Sequence, residues 1–151
     1  DTTLMVKLPD SVLDITGKRY RLMLLSVFLE NNPAGGSLGL FASQFNTFLT
    51  LDSATQATLS GSVNEVTKNN LAANLETEVD QVEGIIAVDV AANGATTLTL
   101  EDDDGSNVLK GFFNQDASLG LFTLRFEPNH GDPNELGLAV LVEVPSESNA
   151  E

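Results

Sequence analysis

The densest group of chemically active side chains in this sequence is an acidic run that ends at a glycine. Asp102, Asp103 and Asp104 precede Gly105, and Asn107 follows two residues later. Carboxylate and amide oxygens are the ligands that calcium prefers, and a loop crowded with like charge gains from a cation. The spacing differs from the alternating ligands of an EF-hand. A solvated hairpin turn explains the same residues, so calcium is a hypothesis here, and no other cofactor is expected.

Residues 35–39 match the G-x-S-x-G motif of the α/β-hydrolases, with Ser37 in the position of the nucleophile. The one histidine, His130, follows later in the chain, in the order that a catalytic triad of this class requires. The motif needs a strand that enters the turn and a helix that leaves it, whereas here a loop precedes it and the surrounding pattern is β. His130 stands between prolines, which is typical of an exposed loop. The sequence therefore predicts a protein that is not an enzyme, with no catalytic residue.

The charge balance narrows the choice of partners. The chain has 7 basic and 22 acidic residues, a net charge of −15, so that phosphate backbones and anionic lipids repel it. Its longest apolar run, residues 22–29, is too short to span a bilayer. We expect neither nucleic-acid binding nor membrane insertion. A start at Asp1 without methionine, with many polar and few basic residues, favours a processed protein, either extracellular or at the cell surface.

Alternation of apolar and polar residues with a period of two dominates the chain, which predicts β-strands separated by turns rich in Gly, Asn, Asp and Pro. The predicted strands cover residues 3–8, 12–15, 20–29, 38–51, 57–63, 85–90, 96–100, 108–113, 119–126 and 136–144. This spacing predicts an all-β fold, either an antiparallel β-sandwich or a meander barrel of about 8–9 strands. We expect one domain over residues 1–145 and a disordered tail over 146–151.

One segment, residues 70–82, fits two interpretations. As a helix it buries Leu71, Leu75 and Val79 on one face; as a strand it places the same residues opposite a row of carboxylates. The helical interpretation gathers acidic residues at the negative end of the helix dipole, which is unfavourable. The pattern therefore favours a strand, with at most one short helix near 70–82.

The first hypothesis for function is structural. Leu4, Val6 and Leu8 alternate in a terminal strand that ends at Pro9, and such a strand can pair with the sheet edge of a neighbouring subunit. Because no catalytic site is recognisable, this strand favours an exported, self-assembling structural protein: a filament, surface-layer or adhesion subunit. Its partners would be copies of itself or another surface protein.

The alternative hypothesis is a β-barrel module that binds a small ligand or a carbohydrate. Eight phenylalanines are available to line an apolar pocket, although the lack of tryptophan and the single tyrosine disfavour stacking on sugars. Residues 14–20 are similar to the opening strand of lipocalin-like or avidin-like barrels. They lack the tryptophan that those openings carry, so no family is assigned from them.

Overall fold

The chain folds as an antiparallel β-barrel in which each strand pairs with the next and the last strand pairs with the first. The computed structural model describes residues 7–10, 13–32, 37–69, 76–101, 105–128 and 136–144, and these ranges contain no helix. The strands are β1 (Arg19–Asn32), β2 (Ser37–Leu51), β3 (Gln56–Asn69), β4 (Glu76–Val90), β5 (Ala95–Glu101), β6 (Gly105–Phe113), β7 (Leu119–Pro128) and β8 (Leu136–Glu143). The all-β prediction is confirmed, and of its two architectures the structure is the meander barrel.

The period of two explains why these segments become strands. Successive side chains point to opposite faces, so every second residue faces the interior of the barrel. In β1 the inward Leu22 and Leu24 are buried, whereas the intervening Met23 and Leu25 are exposed on the outer face. The inward residues of all eight strands together form one core.

The two halves of the barrel differ in height. Strands β1 to β4 have 14 or 15 residues each, about 45–50 Å of chain, whereas β5 to β8 have 7 to 10, about 23–33 Å. Strand β5 pairs with β4 only from Ile86 to Val90, so residues 76–85 pair with β3 alone among the described strands. We name the end that carries residues 52–55, 91–94 and 114–118 the base, and the opposite end the upper end.

Aromatic side chains fill the base. The ring of Phe113 lies 5.0 Å from that of Tyr20 and 5.4 Å from that of Phe122, measured between ring centroids. The Tyr20 hydroxyl donates a hydrogen bond of 2.8 Å to the backbone oxygen of Ala117. Burial raises the pKa of this phenol, and the nearby carboxylate of Glu143 raises it further. These contacts pack the base on the side of β1, β6 and β7.

Several predicted boundaries need correction. Residues 76–82 belong to β4, which confirms the strand interpretation for that part, while residues 70–75 lie outside the described residues. Residues 13–15 are not a strand; Ile15 instead packs into the core. The predicted tail 146–151 and most of the predicted first strand lie outside the described residues. Of that first strand, Leu8 is described, and it is exposed and not in a strand.

Candidate functional site

The inner face of β1 to β4 changes from apolar to polar near the upper end. Ser26, Ser43, Glu65 and Glu78 are successive register partners across these four strands, and we name them the polar inner row. The Ser43 hydroxyl donates a hydrogen bond of 3.2 Å to Oε1 of Glu65. Ser26 and Ser43 are buried, Glu65 is half-buried and Glu78 is exposed, so the row runs from the interior to the surface of the upper end. Polar residues at inward positions of a barrel that is otherwise mostly apolar there are informative.

Two hydroxyl groups on this inner wall are buried without a hydrogen-bond partner, namely Ser26 Oγ and Thr47 Oγ1. Their residues are 1% and 0% exposed. A third inward hydroxyl, that of the buried Thr96 near the base, donates to the backbone oxygen of Gly94 at 3.1 Å. Because a buried hydroxyl without a partner costs stability, the unpaired state of Ser26 and Thr47 needs an explanation, and a bound ligand is one that can be tested.

The position of Thr47 depends on the glycine opposite it. Gly61 is its register partner on β3, with a φ of +152°, and an added Cβ there would lie 2.6 Å from the Thr47 Cα. A side chain at position 61 would therefore force β2 and β3 apart. The glycine therefore allows β2 and β3 to pack closely at Thr47.

An apolar row lies between the Thr47 hydroxyl and the polar inner row. Leu24, Phe45 and Val63 are register partners on β1, β2 and β3. Leu24 and Val63 are buried, while Phe45 is half-buried and packs against the core. The upper interior thus offers hydrocarbon surface with unpaired hydroxyl groups above and below it.

Carboxylates cluster at the upper end of the same face. Glu65 stands directly opposite Glu78, and Asp80 stands opposite Val63 one pair further down. Among the described residues, the ion pairs join Lys7 to Asp10 and Lys18 to Glu143, so that none neutralises this cluster. The described residues contain no group of carboxylates and histidines arranged to hold a metal ion.

A second candidate is a pocket of about 260 Å³ at the base. It lies between the segment before β1, the turn between β2 and β3, and the end of β4. Its lining residues are Leu13, Asp14, Ile15, Thr16, Ala54, Thr55, Val88, Asp89 and Val90. Its volume is at the small end for ligand pockets, and it contains none of the unpaired buried polar atoms found in the described residues. We therefore place the candidate site in the upper interior.

The site residues predicted from the sequence lie elsewhere. Asp102, Asp103 and Asp104 are outside the described residues, while Asn107 is on β6, opposite Leu100, and already has an interaction partner. Calcium at that turn therefore stays a prediction.

The assembly strand and the hydrolase motif can be placed only in part. Leu4, Val6 and His130 are outside the described residues. Ser37 begins strand β2, so the G-x-S-x-G motif is not followed by the helix that a nucleophile elbow requires.

Sequence reasoning missed the residues of the upper interior, although one signal for them was present. Ser26 is a single hydroxyl inside the apolar run 22–29, which becomes most of β1. Thr47, Ser43 and Glu65 carry no such signal, because only the pairing of distant strands brings them to one wall.

Comparisons with known proteins place this chain in no family. No family model matches the sequence, and no curated protein matches it. Among solved structures, the chain is similar to the S-type phycobiliprotein lyase CpeS from Guillardia theta, with 14% identity and a TM-score of 0.41. The match covers 87% of this chain and 89% of the lyase chain. At that TM-score, function must be argued from the residues of this chain.

The prediction of a structural subunit that assembles by strand pairing is wrong. Strand β1 pairs with β8 from Tyr20 to Val27, so over these residues the first and last strands pair with each other and do not offer their edges to a neighbour. In the described ranges, no helix has the length and apolar character needed to cross a membrane.

Proposed function

We propose that this protein is a β-barrel that binds a small, largely apolar ligand in its upper interior. The hydrocarbon part of the ligand packs on the apolar row of Leu24, Phe45 and Val63. Its polar group takes up a hydrogen bond that Ser26 or Thr47 lacks. This is the ligand-binding alternative that the sequence left open.

The observation that carries this proposal is the pair of unpartnered hydroxyls. A hydroxyl that is buried without a hydrogen bond costs about 1–3 kcal/mol, and an alanine or valine in its place would avoid that cost. The structure has two such groups on adjacent strands, Ser26 on β1 and Thr47 on β2, within one wall of the barrel. A ligand whose polar group hydrogen-bonds to one of them gives a reason for keeping hydroxyls in this wall.

The same residues disfavour a carbohydrate. Sugar sites stack their ligand on tryptophan or tyrosine, and this chain has no tryptophan. Its one tyrosine, Tyr20, is 0% exposed at the base and hydrogen-bonded to Ala117, so it has no free ring face for a sugar. A hydrocarbon ligand with few polar atoms suits the upper interior better.

Binding requires movement of side chains at the upper end. The hydroxyls of Ser26 and Thr47 are covered in the ligand-free protein, so a ligand reaches them only after a neighbouring side chain shifts. Phe45 is the half-buried member of the apolar row, and we expect its side chain to change rotamer when a ligand enters. We therefore expect association to be slowed, because a binding event that requires a conformational change has a lower association rate constant.

The test is calorimetric titration with 1-octanol, a neutral probe with one hydroxyl and a hydrocarbon chain. We expect saturable binding by the wild-type protein and about tenfold weaker binding by the double variant Ser26→Ala/Thr47→Val. The matched control is Thr96→Val, which removes an inward hydroxyl that already has a partner near the base. The proposal is contradicted if the wild-type protein does not bind 1-octanol, or if the double variant binds it equally well.

Two further proposals come from the sequence alone: the protein is exported and has no catalytic activity, and it binds neither nucleic acid nor membranes. Export is tested by looking for the protein in the native culture medium. Binding to nucleic acid and to membranes is tested by direct measurement.

A further inference from the structure

The polar inner row places two carboxylates face to face. Glu65 and Glu78 are direct register partners on β3 and β4, and Asp80 follows on the same face of β4. Like charges that stand directly opposite each other across two strands destabilise a sheet. Neither of the two ion pairs among the described residues involves these groups. The arrangement leaves room for a positive charge that no ion pair among the described residues supplies.

A second observation comes from the neutral end of the same row. Ser26 is 1% exposed, has no hydrogen-bond partner, and faces the interior beside Ser43. Ser43 in turn donates to Glu65 and so fixes one oxygen of that carboxylate. An unpaired hydroxyl on β1 and an oriented carboxylate on β3 therefore stand along one wall, with β2 between them.

The surroundings favour an organic cation over a metal ion. The described residues contain no group of side chains arranged to bind a metal, and the next row down is formed by Leu24, Phe45 and Val63. A primary ammonium group has three donors and no acceptor, so it can serve both the Ser26 hydroxyl and the Glu65 carboxylate. The carbon chain attached to it would then pack against the apolar row.

We propose that the ligand of this barrel is a cationic amphiphile, a primary amine on a hydrocarbon chain, whose ammonium group binds between Ser26 and Glu65, with Glu78 opposite. This inference rests on the proposed function and specifies its ligand class. The net charge of −15 adds to it, because a strongly negative protein attracts cations and repels anionic amphiphiles.

Three octyl probes test the head group while the hydrocarbon stays constant: octylamine, 1-octanol and octanoate, each titrated by calorimetry below its micelle concentration. We expect octylamine to bind about tenfold more tightly than 1-octanol, since a hydrogen bond to a charged group is worth about that factor. Octanoate should bind most weakly. The advantage of the amine should shrink as salt rises, because salt screens the carboxylates at the upper end.

The decisive comparison uses two variants that remove one negative charge each. In Glu65→Gln the preference for octylamine over 1-octanol should disappear. In Glu83→Gln it should remain, because Glu83 is on the outer face of the same strand as Glu78. A preference that survives Glu65→Gln, or that is lost equally in Glu83→Gln, overturns the inference.

The outcomes also separate this inference from the proposed function. Equal binding of octylamine and 1-octanol to the wild-type protein overturns the cationic ligand and leaves the ligand-binding barrel in place. Tighter binding of octanoate than of octylamine does the same. If none of the three probes binds, both proposals fail. Only a preference for octylamine that depends on Glu65 supports the assignment.

Discussion

Replacing Thr47 by valine should make the ligand-free protein more stable. The substitution keeps the shape of the side chain and exchanges one buried hydroxyl, which has no hydrogen-bond partner, for a methyl group. Thr47 is 0% exposed and lies in the interior of β2, where a β-branched apolar residue is favourable. In most buried positions the loss of a hydroxyl is destabilising, so the sign of this effect is diagnostic.

The size of the effect follows from the missing hydrogen bond. An unsatisfied buried hydroxyl costs about 1–3 kcal/mol, and we expect Thr47→Val to recover about 1 kcal/mol of the free energy of unfolding. For a chain of 151 residues, this corresponds to a rise in Tm of about 2–4 °C. The control Thr96→Val removes a buried hydroxyl that donates to Gly94, and it should lower stability by about 1 kcal/mol.

The assay is urea unfolding followed by far-ultraviolet circular dichroism, with calorimetric melting as a second measurement. Opposite signs for Thr47→Val and Thr96→Val are the expected result. If Thr47→Val lowers stability by as much as Thr96→Val does, the Thr47 hydroxyl has a hydrogen-bond partner in the ligand-free protein. Thr47 would then give no support to ligand binding in the upper interior.

Further predictions concern Tyr20, Glu78 and the acidic turn. The pKa of Tyr20 is raised above its ordinary value of 10.0. Its contribution to the free energy of unfolding is therefore complete below about pH 10 and is lost as the pH rises toward the folded-state pKa. Urea unfolding against pH should show this alkaline loss in the wild-type protein and not in Tyr20→Phe. At neutral pH, Tyr20→Phe should cost about 1 kcal/mol, because the Ala117 oxygen loses its donor. Glu78→Gln removes the repulsion between Glu65 and Glu78, so it should stabilise the ligand-free protein by about 0.2–1 kcal/mol in low salt. The effect should fade in high salt. An unchanged melting temperature would contradict the repulsion. If the acidic turn binds calcium, millimolar calcium should raise the melting temperature of the wild-type protein and not that of Asp102→Asn/Asp104→Asn; a rise that persists in the double variant would place the calcium elsewhere.

The strands were predictable where one face is apolar. The alternation in residues 96–100, 108–113 and 119–126 gave β5, β6 and β7 within a few residues, because each of these strands buries one face. The choice between sandwich and barrel was not predictable. It depends on the pairing of β1 with β8, two strands separated by most of the chain, and no local pattern encodes that contact.

The candidate site escaped prediction for a related reason. Strand β3 was predicted over residues 57–63 but extends to Asn69, and β4 joins the predicted strand 85–90 to residues 76–82 of the segment that favoured a strand. Their upper parts carry the polar residues Glu65 and Glu78 on the inner face, where the sequence pattern gives no reason to expect a binding wall. Hydrophobic periodicity detects strands but does not show which polar residues face the interior.

Entry of a ligand into the upper interior can be observed by an NMR titration of the isotope-labelled protein with octylamine. We expect saturable shifts in the side-chain signals of Leu24, Phe45 and Val63, and in the Thr47 methyl group. The signals of Leu13 and Val88, which line the pocket at the base, should stay unchanged. Shifts confined to Leu13 and Val88, or none in the apolar row at saturating octylamine, would contradict it.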